Sequence, residues 1–463
     1  MSGIGGIGKP GESGHHQQKK DAHKPGAFLN HQPGADKGPQ HLSRPHQQAG
    51  RNRMVPNEKN PAAGERKPLL NPIVDVVIIG AGASGLMCAM EAGKRGRRVV
   101  VLDHGNTPGR KILISGGGRC NFTNLNIEAA RYISHNAHFC KSALSRYTQW
   151  DFIELINKHG IAYGQRSHGQ LFCIESARQI LDMLRSECEM AGVAFSLDTK
   201  IDTIDRRPDH AFAVHTSRGN YTCPSLVIAT GGLCMTGAGA SPLGYEIARQ
   251  FNIPVRPPRA GLVPFTLQPA DKKILAGLSG IAVDAIVSCR KHRFRDNMLF
   301  THRGLSGPAI LQLSSYWQPG ETIAIDLLPE IDLVAVLKEQ QRQHPQRQVK
   351  TLLAARLPKR LVAARITPAI AGRPLQHLSH LQFREIAAQL QQWTLKPGGT
   401  EGYRTAEVTV GGVDCDAISS KSMQAHRVPG LYFTGEVLDV TGWLGGYNLQ
   451  WAWSSGWCAG QVV

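Results

Sequence analysis

The stretch VDVVIIGAGASGLMCAMEAGKRGRRVVVLD, residues 74–103, decides the fold. VDVVIIG is a short, continuous apolar run, the pattern of a parallel strand buried on both faces. LMCAMEAGKRG then reads as a helix and RRVVVLD as a second strand, which makes a βαβ unit. Between strand and helix lies Gly80-x-Gly82-x-x-Gly85. In such a turn the first glycine permits the tight bend. The second lets a pyrophosphate approach the backbone, and the third packs helix against strand. Ala83 and Ser84 open the helix, whose N-terminus favours phosphate charge. Asp103 ends the second strand, eighteen residues past Gly85, where a carboxylate can accept both ribose hydroxyls. Strand, helix and terminal acid together predict a bound dinucleotide, FAD or NAD.

Working outward, residues 109–124 read GRKILISGGGRCNFTN. Gly116, Gly117 and Gly118 let the backbone pass close to a pyrophosphate or flavin. Arg110, Lys111 and Arg119 supply positive charge, and Asn121 follows. Cys120 would face the reactive edge, where a protonated thiol can act as a proton donor; its other role is packing. LVIATGG (226–232) is another buried strand, with Thr230 and Gly231 at its dinucleotide end. GLYFTGEVLDVTGWLGGYNLQWAWSSG (430–456) is a strand, a glycine cluster and a helix. Gly435, Glu436 and Asp439 carry the acid expected to hold a ribitol chain. Gly446, Tyr447 and Asn448 begin a helix whose N-terminus would stabilise the negative charge of a reduced flavin. These later clusters favour FAD. GAGAS (237–241) has no buried strand of its own and is followed by Pro242, so it is read as no second dinucleotide loop. A nicotinamide donor, NAD(P)H, would therefore dock transiently.

The remainder sets the context. The chain has 463 residues, 41% hydrophobic and 19% charged, enough for two or three domains. It lacks the apolar run of a membrane span and an apolar leader, so a cytoplasmic location without membrane association is expected. No two of its ten cysteines have C-x-x-C spacing, and no metal site is expected. Residues 1–73 are rich in Gly, Pro, His, Gln and Lys and are expected to be a disordered basic tail, with eleven basic and five acidic residues. Residues 74–258 and 408–463 are assigned to a Rossmann-type α/β domain of the glutathione-reductase-like kind. From about 135 to 198 helices and short loops are expected. Residues 259–330 with 399–407 read as a small β-barrel-like insert, and 331–398 as a helical one. The helical insert carries eleven basic residues against three acidic ones. Such uneven charge, within a net +18, points to a polyanion.

PGRKILISGGGRCNFTN, LVIATGG, FTHRGLSGPA, GTEGYRTAEVTVGGV and GLYFTGEVLDVTGWLGGYN resemble the blocks of the BaiN/RdsA family of NAD(P)/FAD-dependent oxidoreductases, from about residue 75 to 463. The resemblance implies an FAD domain interrupted by the two inserts, and reduction of activated C=C bonds. HNAHFCKSALSRYTQWDF (135–152) is most like the branch that makes dihydrouridine in large-subunit ribosomal RNA. The basic tail departs from the compact family pattern. Two other functions stay open: reduction of a small enone or imine, and flavin-bearing RNA binding without catalysis.

Overall fold

The computed structural model describes residues 74–463. The expectation of a disordered tail over 1–73 lies outside the described residues.

The fingerprint stretch folds as read. β1 (Val76–Ile79) and β2 (Val99–Leu102) pair in parallel, with Val76 opposite Val99. β3 (Ala194–Ser196), β4 (Ser225–Ile228) and β5 (Leu431–Phe433) complete a five-stranded sheet of order β5-β4-β1-β2-β3. Every residue of β1, β2 and β5 is buried, which explains why these strands read as unbroken apolar runs. α1 (Ala83–Lys94) covers one face and packs against α2 (Arg178–Met190) and α3 (Tyr447–Gly460). Small residues set the α1–α3 spacing: a Cβ on Gly456 would lie 2.4 Å from the Ser84 carbonyl oxygen. A Cβ on Gly85 would lie 1.9 Å from the Gly80 oxygen, so the third fingerprint glycine is fixed by helix–strand contact.

Two small sheets decorate this domain. One is an antiparallel meander of Ile201–Arg206, Phe212–Thr216 and Gly219–Cys223. The other joins Asn121–Asn124, Gln170–Cys173 and Tyr163–Gln165. The second corrects the helix-and-loop expectation for 135–198. Helices do form at Phe139–Arg146, Gln149–Lys158 and α2. Strands of three or four residues, however, are too short to display alternation in sequence.

The chain leaves and re-enters this domain through an antiparallel ribbon of Val255–Gly261 and Val408–Val413. Its register shifts between Arg256 and Arg259, where Pro257 and Pro258 lack the N–H groups a ladder needs. Beyond the ribbon lies a seven-stranded sheet, with edge strands Trp393–Leu395 and Gly399–Thr400. Only residues 396–398 separate these two edges, so the sheet must curl back towards itself. The helical segment packs on it rather than standing apart. Val287 and Ile325 of the sheet share one hydrophobic core with Leu337, Leu361 and Phe383 of the helices.

An ion cluster braces α2. The Glu187 carboxylate, 1% exposed, meets Lys94 Nζ at 2.8 Å, Lys158 Nζ at 2.9 Å and His159 Nε2 at 2.7 Å. Burial opposes its charge, but Lys158, Lys94 and His159 outweigh it and hold the Glu187 pKa at about 2. A depressed carboxyl pKa gives stability that is full above the unfolded value and lost as pH falls through the folded one. Stability should therefore decline from about pH 4.5 towards pH 2 in the native chain. Urea midpoints measured across that range should fall less steeply in Glu187→Gln, which is also the less stable protein at neutral pH.

Candidate active site

A cavity of about 500 Å³ opens along the carboxyl ends of β1, β2 and β4. That volume lies within the range of small-molecule sites. Gly80, Gly82, Ala83 and Ser84 line it at the start of α1, whose first turn has no side-chain cap. Gly446 and Asn448 line it at the start of α3, also without a side-chain cap. The cavity thus runs between two helix N-termini, each presenting amide N–H groups and the positive end of a dipole.

Asp103 lines the cavity and accepts from the Ala81 N–H at 2.7 Å and the Gly105 N–H at 2.8 Å. It holds the glycine turn in shape. Each carboxylate oxygen has a second lone pair, so ribose hydroxyls can still be accepted. Arg110, Gly117, Asn121, Thr230 and Gly231 line the cavity as well. With its amide oxygen turned to the Gly446 N–H at 3.2 Å, Asn121 also donates to the Leu171 oxygen at 3.1 Å.

The densest polar cluster centres on Glu436. Its carboxylate accepts from Lys111 Nζ at 3.0 Å, Cys234 Sγ at 3.0 Å and the Thr409 N–H at 2.9 Å. Burial raises the cost of both charges, yet their mutual attraction outweighs it. Glu436 is held below the usual carboxylate value and Lys111 above the usual lysine value. Both stay charged as a neutral pair at the cavity wall.

Six expected site residues, Gly85 among them, lie outside the cavity lining. Cys120 is wholly buried and does not line the cavity. Gly116, Gly117, Gly118 and Cys120 all take left-handed backbone, and this winding sends the thiol into the core. Burial pushes the Cys120 thiol up to about 12. Arg119 is exposed outside the cavity. Asp439 is buried and accepts from the His135 N–H at 2.8 Å, so of the two acids only Glu436 reaches the cavity. The Tyr447 hydroxyl accepts from Arg131 at 2.6 Å and donates to the Asn126 oxygen at 3.1 Å, away from the cavity. Gly435 also lies outside the lining: a Cβ there would sit 2.5 Å from Ser84 Oγ, so it serves packing, as Gly85 does.

Other lining residues had no motif to announce them. Ala238, Gly239 and Ser241 of the GAGAS segment line this same cavity rather than a separate one. Leu262 and Pro308 form a wall contributed by the ribbon and the insert. Glu407, one residue before the returning strand, opens into the cavity from that side. An acid at the start of a buried strand was its one visible signal.

Over residues 74–462 the sequence matches the HI0933-like protein Rossmann domain family. The chain belongs to the HI0933-like family. Its fold is the Rossmann-type FAD-binding fold, and it is an oxidoreductase. It is 54% identical over 391 residues to a protein of Escherichia coli named ribosomal RNA dihydrouridine synthase, covering 84% of this chain and 97% of that one. A protein of Haemophilus influenzae with the same name is 50% identical, covering 83% and 97%. A Clostridium scindens protein named 3-dehydro-bile acid delta(4,6)-reductase is 27% identical, covering 83% and 98%.

The residues fit FAD on structural grounds. A Cβ at Gly82 or Gly117 would meet nothing within 4 Å, leaving the backbone open to a ligand. Thr230 lines the cavity, with its hydroxyl buried on the Gly244 side and without a hydrogen-bond partner. Among the described residues no group of three or more acidic, His or Cys side chains could hold a metal, and no helix is long and apolar enough to cross a membrane.

Lys111→Met would leave Glu436 charged and unpaired at the wall. Removing one partner of such a pair costs about 3–5 kcal/mol when the remaining charge cannot relax. The variant should lose most of its flavin on gel filtration, read as the ratio of flavin to protein absorbance, whereas Lys111→Arg should keep it.

Proposed function

We propose that the protein reduces a uridine of large-subunit ribosomal RNA to dihydrouridine, with FAD in the cavity and NAD(P)H as electron donor. The observation that carries this reading is the cavity itself: two uncapped helix N-termini and the Lys111–Glu436 pair face one space, with the insert forming the opposite wall. The names of the two relatives at 54% and 50% identity supply the substrate class.

Reduced FAD, when bound, supplies a hydride to an activated C=C bond. The chain's own residues supply the rest. The N-termini of α1 and α3 hold negative charge at the two ends of the cavity. Asp103 orients a ribose. The glycine turn at 116–118 keeps side chains out of the path of a planar ring.

The RNA is held, on this reading, by the insert. Lys338, Arg347, Lys350, Arg356, Lys359, Arg360, Arg373 and Arg384 are all exposed. None of them forms an ion pair among the described residues. A uridine must leave its stack to enter the cavity, which costs a few kcal/mol, and phosphate contacts on this face offset that cost. The 27% relative named as a bile acid reductase favours a second reading, a small enone as substrate. A small apolar substrate gives this charged face no role.

Mass spectrometry of large-subunit RNA from cells with and without the gene tests the reading. One dihydrouridine should vanish with the gene and return when purified flavoprotein and NADPH are added; unchanged RNA would favour the small-molecule substrate. Replacing Lys350, Arg356, Lys359 and Arg360 by Glu should weaken RNA binding at least tenfold. It should also flatten the slope of log K against log salt by about 0.7–0.9 for each phosphate contact removed.

A further inference from the structure

The geometry points to Glu407 as the acid that protonates the substrate carbon next to the one receiving hydride. This rests on the reading above, and the closing experiment separates the two.

Three carboxylates line the cavity: Asp103, Glu407 and Glu436. Asp103 is engaged by two backbone N–H groups, and Glu436 by Lys111, Cys234 and Thr409. The Glu407 carboxylate makes no hydrogen bond or ion pair with the described residues. Its main chain, by contrast, is fixed. The Glu407 N–H donates to the Leu262 oxygen at 3.2 Å, and its carbonyl accepts from Cys234 Sγ at 3.2 Å. A pinned backbone carrying an unengaged carboxyl is how a proton donor is positioned.

Its location suits that role. Asp103 marks the ribose end of the cavity. Glu407 lies beside Leu262, whose carbonyl accepts its N–H, and Val408 and Pro308 line the same cavity. A base entering between insert and Rossmann-type domain would pass this wall. The other acids are unsuited. Cys120 is wholly buried outside the cavity, and Lys111 is committed to Glu436. His104 sits at the ribose end, 3.8 Å from Asp103.

The surroundings favour a proton on Glu407. The side chain is exposed to the open cavity, and the protein around it still removes enough water to raise its pKa above the ordinary carboxylate value. Glu407 has no ion-pair partner among the described residues, Lys111 is paired with Glu436, and the Cys234 thiol is kept protonated by burial. No cation therefore pulls Glu407 back to its charged form.

The step balances. The C5=C6 bond of uracil accepts a hydride at C6 from the NAD(P)H-reduced cofactor and the Glu407 proton at C5. Glu407 is left as a carboxylate and takes a proton from water before the next turnover. One electron pair passes from cofactor to base, and the cofactor is oxidised.

The test has two arms. Difference infrared spectroscopy of flavin-loaded protein, without RNA, should show a protonated carboxyl band at neutral pH that is absent from Glu407→Gln. In single turnovers of pre-reduced enzyme with ribosomal RNA, Glu407→Gln should form dihydrouridine about 10²–10⁴-fold more slowly. Glu407→Asp should recover part of the rate. A missing infrared band, or a Gln variant within threefold of wild type, overturns the assignment. Wild-type protein inactive on RNA overturns the uridine reading instead, and the infrared band still decides the state of Glu407.

Discussion

One carboxylate ties the cavity together. Glu436 joins Lys111 of the glycine-rich segment, Cys234 of the loop after β4 and Thr409 of the returning ribbon strand. These donors are drawn from positions 111, 234 and 409, and each ends at the same two oxygens. A carboxylate held largely within protein keeps its charge when paired and hydrogen-bonded. The requirement works in both directions. The fold must deliver all three donors to keep Glu436 ionised, and their delivery fixes where the insert's ribbon meets the Rossmann-type domain.

The Rossmann-type part of the fold was legible because its signals are local. Three glycines at fixed spacing, an apolar run before them and an acid after the next strand each report on residues close in sequence. The glycine cluster before α3 was legible for the same reason, and Gly446 and Asn448 reach the cavity as read. What failed to show was side-chain direction after left-handed turns. Cys120 follows three glycines with positive φ, and no periodicity survives such a run. Asp439 and Glu436 stand three apart, and only tertiary packing decides which one faces inwards. Glu407 was hidden because its meaning depends on partners that never arrive, and an absence of partners has no sequence signature.

The inserts show a related limit. Charge and proline breaks separated a helical segment from a β segment, yet the two share a hydrophobic core, with Arg365 stacked 4.3 Å over Trp393 across them. Composition reports solvent-facing positions well, since these are where basic residues collect. It reports poorly on which buried faces meet. The outer face of the helices is basic, while their inner face is spent on the sheet. The charged surface is thus carried on a body connected to the cavity by one bulged ribbon, which also lends Leu262 to the cavity wall.

The two glutamates beside that ribbon are pushed in opposite directions within one cavity. Thr409, which holds Glu436, is two residues from Glu407, so both carboxyls share the same stretch of backbone. Glu436 has a cation at 3.0 Å and is driven towards the charged form. Glu407 is the more exposed of the two but has no cation beside it, and partial loss of water drives it towards the neutral form. Desolvation alone raises a carboxyl pKa, and an adjacent ammonium reverses the sign. Divergent environments for neighbouring titratable groups separate a fixed charge from a mobile proton. A cavity that must stabilise charge near a cofactor while giving up a proton to a substrate needs both, and Lys111 is the residue whose placement creates the difference.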